Sequence, residues 1–337
     1  METQKRIAWI DTAKGICMLS VIAGHMGWEK VNTVVYAYHL TVFFLLSGYT
    51  LKIGISWEKI GKRFRSLMVP YIYTCVAVTI MDIVNLVVVE KRFDVFLFAQ
   101  TAYRDLLRSL FASGDITRFG RLDLGGRIGA IWYLPATLAA IVLTLVLLEY
   151  IRNRKLRWLC AFGISALAFV SASYFWLPFS VQSGCFALPL VLAGYEAREH
   201  GRMGKIKLPG FACCLVVFAV GIATGKTGIF YVTASMDSFL LSPVFGLAAS
   251  ICVIFLSQKM EKCRVLAWIG KNSLYFLCAH LFEMETMGAW FFKIQEMLGM
   301  QYNSIVLFCL KLMFITLVVV TVKWCQTIQK KEVACKH

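Results

Sequence analysis

The chain has 337 residues, 59% of them hydrophobic and only 16% charged, with a formal net charge of +16 and a mean hydropathy of +0.70. A soluble domain carries about 25% charged residues, so this composition excludes an ordinary globular enzyme and predicts an all-α polytopic helical bundle in a lipid bilayer. The positive balance does not call for nucleic acid, because its placement in alternate loops is that of a topology signal.

A span needs about 20 mostly apolar residues. Ten stretches qualify: 8–28, 34–54, 67–89, 129–151, 158–177, 179–196, 208–224, 239–257, 265–283 and 303–322. Basic clusters alternate with loops that hold one Lys or none, such as those of Lys30, Lys226 and Lys293. They run through Lys5 and Arg6; Lys59, Lys62, Arg63 and Arg65; Arg152, Arg154, Lys155 and Arg157; Arg198, Arg202, Lys205 and Lys207. The last two are Lys259, Lys262 and Arg264, then Lys323, Lys330, Lys331 and Lys336. The positive-inside rule then puts both termini in the cytoplasm with an even number of spans. No repeat or linker divides the chain, so 1–337 reads as one membrane domain. The apolar run from Ile16 to Gly24 is approached through Asp11 and Lys14 and is followed by no small-residue cleavage pattern, so it reads as a retained span.

In span 1, Lys14 and His25 are eleven positions apart, which at about 100° per residue leaves them within roughly 20° of one helix face. Asp11 falls near the same stripe, and the three groups cover roughly 21 Å at about 1.5 Å per residue. Ionisable side chains inside a membrane are costly and mark functional sites or ion pairs; an Asp11–Lys14 pair at i,i+3 is the simpler reading of those two. His39 opens span 2, which ends in FFLLSGY, Phe43 to Tyr49, where Ser47 and Gly48 offer a small surface for a close helix approach. A basic cytoplasmic loop follows, with Lys62, Arg63 and Arg65 suited to phosphate groups or to topology alone. The one long loop, 90–128, carries Arg104, Arg108, Arg118, Arg121 and Arg127 with Asp105, Asp115 and Asp123. It reads as a solvated loop or as a lid over the outer mouth of a site. Spans 5 and 6 run together through Trp176, Leu177 and Pro178. His280 in span 9 joins His25 and His39 at one predicted depth, and imidazoles are the natural proton carriers near neutral pH. Lys311 is a cation in mid-span 10, with Asp82 of span 3 as an available partner. The twelve Cys show no C-x-x-C pair or metal-ligand spacing, so neither a disulfide framework nor a metal is expected.

These residues resemble the acyltransferase 3 family of integral membrane O-acyltransferases. Its first span reads D-x-x-[RK]-G-x-x-x-x-x-V-x-x-x-H, matched here by Asp11, Lys14, Gly15, Val21 and His25. Its F-F-x-x-S-G-[YF] appears as Phe43, Phe44, Ser47, Gly48 and Tyr49, preceded by YHLTV, which is similar to the fucose 4-O-acetylase-like branch. Lys62, Arg63, Arg65, Pro70 and Tyr71 follow the family's cytoplasmic motif loosely, with arginine spacing that departs from R-x-x-R. IWYLPA around Trp132 and GKNSLYFLCAH ending at His280 are similar to two later motifs, so the likeness runs from about residue 6 to 282.

The resemblance implies transfer of an acetyl or other short acyl group from acyl-CoA, a substrate and not a resident cofactor, to a hydroxyl of a saccharide or lipid-linked glycan. It implies a multi-pass protein of the bacterial cytoplasmic membrane, standing alone with no hydrolase-like domain after span 10. His25, Lys14 and Asp11 would be catalytic, with His39, His280, Ser47 and Trp132 supporting them. Lys62, Arg63 and Arg65 would hold the coenzyme. His25 would act as general base or carry the acyl group transiently. The residues alone also suit a proton-coupled carrier or a membrane sensor without turnover.

Overall fold

The computed structural model describes residues 7–335 except 53, 55, 116–117, 120–121, 124, 202, 205, 298 and 300–302; the side chains of 118–119, 122–123 and 330–335 are also undescribed. The expectations placed on Lys5, Arg6, Arg118, Arg121, Asp123, Arg202, Lys205, Lys330, Lys331 and Lys336 therefore lie outside the described residues or side chains.

The chain is helical almost throughout. Its helices are α1 (Ala8–Gly24), α2 (Glu29–Val35), α3 (His39–Tyr49), α4 (Trp57–Val88), α5 (Val95–Phe111), α6 (Tyr133–Tyr150) and α7 (Arg154–Ser171). They continue as α8 (Val181–Glu199), α9 (Leu208–Thr224), α10 (Leu241–Lys259), α11 (Arg264–Lys271), α12 (Ser273–Thr286), α13 (Gly288–Met297) and α14 (Ser304–Cys335). Two antiparallel two-residue pairs, β1 (Arg118–Phe119) with β2 (Leu122–Asp123) and β3 (Ile229–Phe230) with β4 (Ser235–Met236), turn the chain in loops.

Each expected span coincides with a helix or a helix pair. Among the described residues, five segments are long and apolar enough to cross a membrane: Glu29–Tyr49, α4, Gly129–Tyr150, α10 and Ser304–Gln329. Span 9 is not one rod, since α11 and α12 meet at Asn272 with a 75° bend, and the pair would make a sixth crossing. α1 and α9 have 17 residues each, while α7 and α8 carry charges at their ends, which keeps these four below that standard. The chain is an all-α helical membrane protein.

Two glycine crossings set the helices that build the cavity described below. A Cβ at Gly15 would land on the backbone carbonyl of Leu266, and one at Gly270 on that of Asp11, so α1 and α11 touch backbone to backbone. A Cβ at Gly48 would meet the carbonyl of Val191 and one at Gly194 that of Leu45, which clamps α3 to α8 in the same way. Small residues permit such contacts in a membrane, where packing replaces the hydrophobic effect as the force between helices.

The loop expected at 90–128 contains a 17-residue helix, α5. Asp94 caps α5 by accepting from the Phe96 amide at 2.9 Å, and Ala112 ends it in the left-handed conformation. Its polar face is the buried one: Thr101, Asp105 and Arg108, at i, i+4 and i+7, point inward, while Val95, Phe96, Tyr103 and Leu106 are exposed. That inversion suits a helix lying against lipid. Arg108 is neither a free loop cation nor a lid residue. It is buried and bonded to Asp82 at 2.8 Å, with Asp105 at 3.2 Å and Glu285 at 3.7 Å, and so ties α4, α5 and α12 together. Asp82 is thereby taken, and Lys311 instead meets Glu283 at 2.7 Å.

Candidate active site

A cavity of about 980 Å³ runs between α1, α3, α4, α6 and α12, a volume at the upper end of small-molecule sites. The stripe read from span 1 faces it: Lys14, Met18, Val21 and His25 all line it, at steps of four, three and four. Asp11 does not line it. α3 contributes its own stripe of His39, Phe43, Ser47 and Thr50.

The two helices run antiparallel. Trp9 packs on Tyr49 at one end, with ring centroids 5.6 Å apart, and the Tyr36 hydroxyl donates to the Gly24 carbonyl at 2.6 Å at the other. The cavity therefore has two distinct ends. Lys14, Thr50, Arg63, Ser66 and Ser273 mark one; His25, Tyr36, His39, Asp115, Arg127 and Glu285 mark the other. Lys14 and His25 are about 16 Å apart along the helix axis.

Each cavity imidazole is held by a backbone carbonyl four residues before it. His25 closes α1, and its Nδ1 lies 2.8 Å from the Val21 carbonyl; Nδ1 of His39 lies 2.6 Å from the Val35 carbonyl. A carbonyl only accepts, so both Nδ1 atoms carry the proton in the neutral ring and both Nε2 atoms present a lone pair. His25 has accessible surface in the cavity, whereas His39 is buried in its wall. His280 is fully buried behind His25 and does not reach the cavity; their rings meet edge to face with centroids 5.2 Å apart. The three histidines thus gather at one end of the site, two of them on its wall.

The basic motif after span 2 is not a loop. Lys62, Arg63 and Arg65 lie in the opening turns of α4, where Glu58 and Lys62 pair at 2.6 Å across one turn and the helix runs on through Gly61. Only Arg63 reaches the cavity; Lys62 and Arg65 are exposed. Arg63→Gln should therefore raise the KM of any anionic substrate that the cavity binds by about tenfold, the value of one charge-assisted hydrogen bond. Lys62→Gln and Arg65→Gln should change it less than twofold, and steady-state kinetics on the three variants checks the difference.

Trp132 ends a 3-10 turn, Gly129–Trp132, that leads into α6, and its buried indole packs against Gly114. Ser47 lines the cavity while its hydroxyl donates to the Phe43 carbonyl at 2.8 Å. From the long loop, Gly114, Asp115 and Arg127 form part of the cavity wall, so its distal half borders the site although α5 does not.

Sequence reasoning does not single out Glu283, Glu285 or Tyr36. Glu283 carries a signal in its i,i+3 spacing from His280; Tyr36 and Glu285 carry none that periodicity reveals. Among the described residues, no group of three or more His, Cys, Asp or Glu side chains is arranged to hold a metal ion.

No match was found among curated proteins or among solved structures. The family model described as an acyltransferase domain matches residues 7–324, nearly the whole chain including every element of this cavity, and the protein belongs to the acyltransferase 3 family of membrane acyltransferases.

Proposed function

We propose that the protein moves a short acyl group, acetyl in the simplest case, from a coenzyme A thioester to a hydroxyl of a cell-envelope saccharide or lipid-linked glycan. The observation that carries this reading is a single cavity joining a cationic end, at Lys14 and Arg63, to an imidazole end, at His25 and His39. Coenzyme A has that polarity: phosphates at one end, a thioester at the other, and an arm about 20 Å long between them, close to the roughly 16 Å of α1 separating Lys14 from His25. In this reading Arg63 and Lys14 hold the nucleotide and upper arm, and the thioester lies at His25.

His25 then acts through Nε2 as general base. The acceptor hydroxyl gives its proton to that nitrogen as its oxygen bonds to the acyl carbon. Collapse of the tetrahedral intermediate breaks the carbon–sulfur bond, and the imidazolium returns the proton to the departing sulfur. Lys14 is too far along the helix to touch an oxyanion formed at His25, which leaves it the role of anchoring the donor, with Asp11 one turn before it. Tyr36, Asp115, Arg127 and Trp132 around the imidazole end suit a polyhydroxylated acceptor, with polar groups for its hydroxyls and an aromatic wall.

In this reading the protein lies in a bacterial inner membrane with its basic clusters in the cytoplasm, which the positive-inside rule supports, and donor and acceptor approach from opposite faces. Coenzyme A itself never crosses. Sealed vesicles of known orientation test this, with acyl-CoA on one face and a membrane-impermeant glycan on the other. Release of free CoA and acylated glycan is expected only when acyl-CoA is on the face that carries Arg63. Product formed only with both substrates on that face would overturn the arrangement, and no glycan-dependent CoA release in any orientation would overturn the activity.

A further inference from the structure

Behind His25 lies a set of buried charges that the transfer reaction, as drawn above, does not use. His280 and Glu283 are both completely buried on α12, and the His280 Nδ1 lies 3.3 Å from one Glu283 oxygen. The other carboxylate oxygen meets the Lys311 ammonium, from α14, at 2.7 Å. Facing this set from α1 is His25, whose ring packs edge to face on His280. A carboxylate oxygen accepts, so the His280 Nδ1 carries the proton and its Nε2 presents a lone pair. That Nε2 has no hydrogen-bond partner among the described residues.

This is an expensive arrangement to keep for packing alone. An apolar replacement of a buried ion pair is often neutral or stabilising, and a buried ring nitrogen without a partner adds to the cost. The His280 ring against which His25 packs is hydrogen-bonded to a carboxylate, as metal-bound histidines are by their outer partners, and such a bond fixes the tautomer and orientation of the imidazole. A ring held in this way gives His25 a fixed wall to rest on at the edge of the cavity.

We propose that Glu283 and Lys311 are positioning residues for acyl transfer, fixing the tautomer and orientation of His280 so that its ring holds His25 in place for the reaction. The assignment rests on the acyltransferase reading given above. Lys311 balances the carboxylate between turnovers and holds it at the His280 Nδ1. Neither residue touches substrate, since neither lines the cavity.

The test measures kcat, both KM values and thermal unfolding for the purified wild type, Glu283→Gln, Lys311→Arg and the double variant Glu283→Gln/Lys311→Met. Outer-partner losses of this kind typically cost about 10–100-fold. Glu283→Gln should therefore lower kcat by about that factor and leave both KM values within about twofold, while Lys311→Arg retains most of the rate. The double variant removes both charges together, so it should unfold like the wild type yet keep the low kcat. A double variant with wild-type kcat would show the pair to be an internal cross-link only and would overturn the assignment, leaving the acyltransferase reading intact. A wild type without acyl-CoA turnover would overturn both.

Discussion

Replacing His25 with alanine should lower kcat for acyl transfer by about 10²–10⁴-fold, the usual contribution of a positioned general base. The protein should still reach the membrane in normal amounts, for a local reason. His25 is the residue that closes α1, its ring opens onto the cavity, and among the described residues its side chain hydrogen-bonds back to Val21 of its own helix. Truncation thus enlarges the cavity without unpairing a group on another helix. His39→Ala differs, because that ring is buried among packed side chains and its loss also leaves a void. CoA release measured against membrane yield checks the expectation, and wild-type turnover in His25→Ala would remove His25 from the chemistry.

The largest structural effect should come from a residue with no side chain. Gly270→Leu would drive a Cβ into the carbonyl of Asp11, and backbone on both sides leaves nothing flexible to yield. Overpacking of this kind costs on the order of 3 kcal/mol. Because α1 carries both Lys14 and His25, the separation of α1 from α11 should also misalign the cavity, so activity falls with stability. Gly163→Ala in α7 is the matched control: no atom stands within 4 Å of the added methyl, and a helical alanine replaces a glycine. A thermal melt of the two variants should show a large downward shift for the first and little or a slight rise for the second. Equal melts would mean that α1 and α11 have room to separate.

Periodicity made the helices and the α1 stripe legible, because hydropathy and the 3.6-residue repeat are local properties. Lys14, Met18, Val21 and His25 face one cavity for that reason. Partners were not legible, because pairing depends on which helices become neighbours. Asp82 could as well have met Lys311 as Arg108 on sequence grounds, and only the fold shows that Arg108 from α5 has taken it. α5 itself was hidden by its inverted face, whose inward Asp105 and Arg108 read as loop charges. The break at Asn272 did leave a signal, since Gly270, Lys271, Asn272 and Ser273 interrupt the apolar run from Arg264 to Thr286, but a short polar interruption does not by itself tell a bend from a continuous span.

The glycine contact between α1 and α11 also bears on how such a chain is made. Membrane helices enter the bilayer in the order of their synthesis, so α1, which leads into the cavity imidazole His25, is in place long before its backbone partner exists. The same holds for the charge cluster around Asp82 on α4, whose members Asp105 and Arg108 are nearby in the chain but whose fourth member, Glu285, arrives almost last. Through most of translation the first span is therefore a guest without a fixed seat, carrying Asp11 and Lys14 into lipid with no neighbour across its glycine face. The cavity is closed by the final third of the polypeptide meeting the first, and a chain interrupted before α11 would hold every residue of the α1 stripe without the α12 wall that faces it.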